Sequence, residues 1–147
     1  MQVWFFYKEV RIIKEFKTFT IIFIGAFIGS NLRYGESLLF TTSDNFPWGT
    51  VVANLSGAFI LPFLIHYLQD RYKLSSKTIL SLSTGLLGSY TTFSTFTADA
   101  YRLFETGNWI YLAGYLFLTM IGGFLFAIVG NYWAVSRAFR DLERSRK

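Results

Sequence analysis

What most constrains this chain is where its charged residues do not fall. Four apolar runs, at about 18–40, 48–68, 78–104 and 109–135, hold few charges, and nearly all the Lys and Arg residues lie between or beyond them. Each run has roughly the 20 residues that a helix needs to cross a hydrocarbon core. Backbone groups at that depth must be satisfied internally, so the runs are read as helices. The expected fold is an all-α membrane protein of four transmembrane helices.

Composition removes several alternatives. At 147 residues the chain is one domain by length, with 52% hydrophobic and only 16% charged residues. It has no Cys, which excludes disulfides and thiolate metal ligands, and its one His, His66, cannot build a zinc cluster. The net charge of +5 does not describe a nucleic-acid surface, because the basic residues gather at segment ends. The N-terminus lacks the basic, apolar, small-residue order of a cleavable signal.

Three regions follow. Residues 1–17 place Val3, Phe6, Tyr7, Val10, Ile13 and Phe16 on one helical face and Lys8, Arg11 and Glu15 on the other, the pattern of an amphipathic interfacial helix. Residues 18–135 form the four-helix transmembrane domain, and 136–147 form a basic tail. In the first span Gly25, Ala26, Gly29 and Ser30 make a small-residue seam for a close-packed neighbour. Arg33 and Glu36 lie one turn apart beyond it, placed to pair or to face a vestibule. Pro47 opens the second span and Pro62 is expected to kink it.

Orientation follows from the loops. Assigned alternately to two sides, twelve Lys and Arg residues fall on the side of both termini, and only Arg33 and Arg102 on the other. The positive-inside rule then makes both termini cytoplasmic. Four helices leave little room for both a lipid-facing shell and a polar path, so an oligomer is expected.

The third span carries the most unusual stretch, Gly88-Ser-Tyr-Thr-Thr-Phe-Ser-Thr-Phe96, with five Ser and Thr hydroxyls and two phenyl rings in nine residues. Gly85 and Gly88 precede the hydroxyls, so a break in the middle of this helix is expected. Its hydroxyls have a bland reading, bonding back to carbonyls one turn earlier. Phe93 and Phe96 share a face and offer an anion their positive edges. Asn54 is either glue between helices or an amide in a polar path. Tyr115 and Thr119, four apart, point the same way. Asp99 is the acid nearest the motif and lies toward one end of its span. Together these residues describe a narrow path suited to a small ion stabilised by dipoles.

Over about 20–135 the chain resembles the Fluc (CrcB) fluoride channels. The resemblance rests on Gly25-Ala26 with Gly29 and Arg33-Tyr34, on Gly49-Thr50 with Asn54 and Gly57, on Gly85 and Gly88 leading into Thr91-Thr-Phe-Ser-Thr-Phe96, and on Tyr115 with Thr119. It implies an antiparallel, dual-topology-type dimer in the cell membrane that passively exports cytoplasmic fluoride through narrow pores. The pore residues would be Asn54, Phe93 and Phe96, with Thr50, Ser94, Thr95, Tyr115 and Thr119 as a polar track. Arg33 and Asp99 would lie at a vestibule or interface. A structural sodium ion would be held by the backbone carbonyls of Gly88 and Thr91, hard donors for a small hard cation.

The sequence departs from the family pattern in three places: Ser89-Tyr90 after the Gly at 88, Asp99 where Glu is usual, and Gly123 one turn past Thr119. Its charge bias also argues for fixed topology, hence pairing with an oppositely oriented homologous subunit. The competing readings are a non-conducting or regulatory membrane subunit and a small proton-coupled multidrug exporter, which needs an intramembrane acid. No base–nucleophile pair or metal cluster suggests an enzyme.

Overall fold

The computed structural model describes the backbone of residues 2–40 and 46–145, with side chains over 16–40, 46–69 and 71–144. No strand occurs among the described residues. The helices are α1 (Gln2–Leu39), α2 (48–72), α3 (76–90), α4 (Phe93–Glu105) and α5 (109–145).

Helix α1 runs unbroken for 38 residues, or about 57 Å at 1.5 Å per residue. It passes straight through the expected boundary at 17/18: no Gly or Pro separates the two helical patterns there, and the Thr20 hydroxyl bonds back to the Phe16 carbonyl rather than capping a new helix. The faces expected over the first fifteen residues lie outside the described side chains. Loop residues 41–45 are also outside the described set, and α2 then begins at Trp48, just after Pro47. Pro62 sits inside α2, where it cannot donate to the turn before it, and a wider π-type turn follows at Leu64–Leu68. Lys73, in the left-handed region at φ 48°, ends the helix.

The seam expected on the first span is where α1 meets α3. A Cβ on Gly29 would stand 2.1 Å from the Leu86 carbonyl oxygen, and one on Gly85 would stand 2.6 Å from that of Ile22. Only hydrogen atoms on both helices allow this approach, the small-residue packing used where apolar lipid gives helices no reason to associate. Helix α2 lies along α5, and α4 turns back onto the start of α5 through a tight turn at Gly107, φ 70°. Along α1 Phe16, Phe19, Phe23 and Phe27 are exposed, the last two at the rim of a cleft shared with Gly88 and Ser89.

Two segments, Trp48–Leu68 and Trp109–Arg144, are each long and apolar enough to cross a membrane. Only 22% and 6% of their apolar windows are buried within the chain, so neither is the covered core helix of a soluble domain. The first run carries Asn31 and Arg33 within it, and the third is divided into α3 and α4, which shortens the continuous apolar length of each.

Two small cores form on either side of that division. Ala53, Leu64, Ile79, Leu87 and Tyr90 pack on the α3 side. Phe46, Val51, Leu103 and Tyr115 pack on the α4 side, with Phe96 against them.

Candidate functional site

Between α3 and α4 the backbone leaves the helix for two residues. Thr91 and Thr92 are extended, at φ −76°, ψ 157° and φ −149°, ψ 128°. Helix α3 closes with the Thr91 N–H and hydroxyl both donating to the Leu87 carbonyl, each at 2.9 Å. Helix α4 opens with Thr92 as its cap, whose hydroxyl oxygen accepts from the Thr95 N–H at 3.1 Å. The peptide groups between are served by Asn54 on α2. Its Oδ1 accepts the Thr92 N–H at 2.9 Å, and its Nδ2 donates to the Thr92 carbonyl at 3.1 Å. An amide side chain thereby supplies both halves of a backbone pair.

That diversion has a consequence for the carbonyls before the break. In an uninterrupted helix the Gly88 carbonyl accepts the Thr92 N–H; here that N–H points at Asn54. The carbonyls of the last turn of α3 therefore lose their helical donors. Gly88 and Thr91 both line the clefts on either side of the break. Helix α2 passes close to the break, and a Cβ on Gly57 would stand 2.1 Å from Cγ2 of Thr91.

From the break an aromatic row runs inward. Phe93, 78% exposed, lies 5.9 Å from Phe96; Phe96 lies 5.3 Å from the fully buried Tyr115; and Tyr115 meets Phe46 edge-on at 6.0 Å. Beside this row is a cleft of ≈ 560 Å³ lined by Asn54, Thr91, Thr92, Phe93, Phe96 and Thr119, among others. Thr119 sits in a wide turn at Leu118–Gly122, and its hydroxyl is buried with no partner among the described residues. Thr91 and Thr97 instead bond back to carbonyls four residues earlier, while the one Ser56 hydroxyl hydrogen is shared between the Val52 carbonyl and the Tyr90 hydroxyl. Asn54 retains a second N–H beyond the one given to Thr92, since a primary amide carries two. Donor capacity thus gathers where no acceptor is present.

The remaining expected site residues lie in two other places. Thr50 and Tyr115 form a buried cluster with Asp99: the Thr50 hydroxyl donates to Oδ2 at 2.7 Å and the Tyr115 hydroxyl lies 3.5 Å from it. Arg102 pairs with Asp99 at 3.5 Å. Ser94 and Thr95 face away from the main cleft, toward α1. The Arg33 guanidinium donates to the Thr95 hydroxyl at 3.3 Å, and Ser94 lines a second cleft with Ser30, Arg33 and Gly88. Arg33 and Glu36 do not pair with each other among the described residues. Of the eight expected pore residues, the structure brings Asn54, Phe93, Phe96 and Thr119 together at one cleft and sets the other four around it.

One cluster was not expected from sequence. The Tyr90 hydroxyl donates to Glu36 Oε1 at 2.5 Å and lies 2.6 Å from Ser56 Oγ. Ser89-Tyr90 is legible as a departure from the motif, but Tyr90's partners lie 54 and 34 positions away, beyond any local pattern. Among the described residues no group of three or more His, Cys, Asp or Glu side chains is placed to hold a metal. The oxygens described at the break are those of backbone carbonyls, the Asn54 amide and the Thr91 and Thr92 hydroxyls.

Fold and site together define a small all-helical membrane protein whose third apolar run is interrupted beside a polar cleft. The chain belongs to the CrcB-like protein, Camphor Resistance (CrcB) family, whose model matches residues 20–131. It is 44% identical over 110 residues to the fluoride-specific ion channel FluC 1 of Latilactobacillus sakei, covering 75% of this chain and 82% of that protein. It is 40% identical over 110 residues to FluC of Oceanobacillus iheyensis, covering 75% and 85%. It is 41% identical over 113 residues to FluC of Chloroflexus aurantiacus, covering 74% and 88%. These relatives are named as ion channels, and the family is not one of enzymes.

Proposed function

We propose that this chain is a subunit of a fluoride-selective channel that lets cytoplasmic fluoride leave the cell passively. The observation that carries the proposal is the cleft at the break, where Asn54, Phe93 and Phe96 meet the unpartnered Thr119 hydroxyl. A small anion carries its water tightly, and leaving water for an apolar medium without replacement costs tens of kcal/mol. The second N–H of Asn54, the Thr119 hydroxyl and the positive edges of Phe93 and Phe96 are the replacements on offer. Thr50, Ser94, Thr95 and Tyr115 extend the polar track on either side. Arg33, beside Thr95, stands at one mouth and raises the local anion concentration. A larger halide gains less from close hydrogen bonds and needs a wider bore.

A structural sodium ion fits the residues at the break. The donors would be the carbonyls of Gly88 and Thr91, hard oxygens that the extended Thr91–Thr92 segment leaves without helical partners. A bound cation there supplies charge to balance carbonyl dipoles at membrane depth. The chain's own residues do the rest: Asn54 holds the extended backbone, and the phenyl rings and hydroxyls replace the water of the anion.

In this reading residues 18–135 form the channel body of an antiparallel dimer. Residues 1–17 lie in the interface, and the basic 136–147 tail and both termini face the cytoplasm at the cell membrane. The exposed row Phe16, Phe19, Phe23 and Phe27 is then covered by lipid or by the second subunit. The strong charge bias favours fixed topology and an oppositely oriented homologous partner. A functional homodimer at normal yield from the chain expressed alone would sink that part.

The test is fluoride efflux from liposomes read with a fluoride electrode, for the chain alone and with a co-expressed paralogue. Rapid, fluoride-selective release is expected from at least one preparation. Phe96→Ile removes two ring contacts worth about 0.5–1.5 kcal/mol each and one ring edge, so efflux should fall about tenfold or more. A parent that releases nothing in either preparation is a non-conducting subunit, and the proposal fails.

A further inference from the structure

We infer that Tyr90 is a positioning residue for the break: its hydroxyl, held between Glu36 on α1 and Ser56 on α2, fixes the pose of the Thr91–Thr92 backbone. The inference rests on the fluoride-channel reading.

Helix α2 grips the break over four consecutive residues. Asn54 bonds both sides of the Thr92 peptide, Ser56 meets the Tyr90 hydroxyl, and Gly57 abuts Thr91. Two of these contacts tolerate some rotation of the last turn of α3, being a van der Waals contact and a bond to the residue beyond it. Tyr90 removes that freedom. Its ring is 7% exposed and packs with Ala53 and Leu87, while its hydroxyl is tied to two other helices at once. A torsion of the turn that carries the Gly88 and Thr91 carbonyls must break both ties.

The cluster is unusually dependent on one group. Glu36 Oε2 is buried with no partner among the described residues, so Tyr90 is the only hydrogen-bond donor found for this carboxyl. Removing the hydroxyl leaves both oxygens unsatisfied, and an unsatisfied buried acceptor costs more than the bond itself was worth. This separates two roles that a single substitution would confuse. Tyr90→Phe both orphans Glu36 and frees the turn. The double variant Tyr90→Phe/Glu36→Leu removes the orphan but leaves the turn free.

The experiment measures thermal stability in detergent and the fluoride efflux rate of vesicles that conduct, scored separately from the fraction that conduct. Tyr90→Phe should lose stability and slow efflux by about tenfold, the size expected for one hydrogen bond to a carboxyl. The double variant should regain stability while efflux stays slow. Glu36→Gln keeps an acceptor for Tyr90 and should recover most of the rate lost in Glu36→Leu. Parental efflux in the double variant would mean that the cluster matters only for stability, and parental efflux in Tyr90→Phe would overturn the inference outright. If the parent itself releases no fluoride, the channel reading fails and hydrogen exchange decides this one. The Thr92 and Thr95 amides of the double variant should then exchange about tenfold faster than the parent's, and equal rates would overturn the inference.

Discussion

On the α3 side of the break a tyrosine hydroxyl holds a carboxyl group whose second oxygen has no partner among the described residues; on the α4 side the carboxyl of Asp99 collects Thr50, Tyr115 and Arg102. The two clusters share one element, a carboxyl on a helix that accepts from a tyrosine hydroxyl. They differ in redundancy. Thr50 at 2.7 Å makes the strong bond to Asp99, and Tyr115 and Arg102 at 3.5 Å are long contacts that reinforce it. Loss of one partner there leaves others, whereas loss of Tyr90 leaves Glu36 with none among the described residues. The second half of the interrupted run is therefore held stiffly against α2 and α5, and the first half depends on a single joint.

The largest expected effect removes what both halves share. Asn54→Asp keeps an acceptor for the Thr92 N–H but turns the donor into a carboxylate oxygen facing the Thr92 carbonyl. An uncompensated buried charge costs about 3–5 kcal/mol. It also puts negative charge into the anion's path, so efflux should fall at least about a hundredfold. Equal efflux from Asn54→Asp and parent would show that the amide neither closes the break nor meets the ion.

The next effect is smaller and confined to the α4 side. Asp99→Asn retains one oxygen for Thr50 but gives up the charge that draws Arg102. The loss should be about 1.5–3 kcal/mol of stability, the range for hydrogen bonds to charged groups, read by equilibrium unfolding in mixed micelles. Because Thr50 still has an acceptor, efflux should change less than in Tyr90→Phe. If Asp99→Asn slows efflux more than Tyr90→Phe, the stiff and jointed halves have been assigned the wrong way round.

Much of this frame was readable from the sequence, and the reasons differ by feature. Gly25 and Gly29 announced a close helix neighbour because small residues at that spacing have few other uses in lipid, and α3 fills the seam. The turn at Gly107 and the start of α2 after Pro47 follow from backbone restrictions that are local by nature. Partners were not readable. Asn54 was open between helix glue and pore amide, and nothing within its own helix says that it pairs with a peptide 38 positions away. Arg33 and Glu36, one turn apart, leave open whether they pair or face a vestibule, and the partner of each lies on a different helix, Thr95 and Tyr90. The division at 17/18 marks a change from charged to apolar surface, hence of solvent, and the helix backbone crosses it without breaking.

A third carboxyl tests whether burial is what gives Asp99 its value. Asp141 on α5 has a similar set of partners, the Tyr67 hydroxyl at 2.9 Å and Arg71 at 3.4 Å. Its phenol bond and its ion pair are each shorter than the matching contacts of Asp99, although Asp99 has the Thr50 bond as well. Exposure points the other way: the two arginines are equally exposed, but the Asp141 side chain is 34% exposed against 15% for Asp99. Water and salt screen a pair in that position, and such pairs are worth about 0–1 kcal/mol. Asp141→Asn should therefore cost less than about 1 kcal/mol in the same unfolding measurement, with its effect shrinking as salt is raised. An equal cost for Asp141→Asn and Asp99→Asn would mean that hydrogen-bond geometry sets the value of these carboxyls rather than depth. The contrast between the two sides of the break would then rest on the number of partners alone.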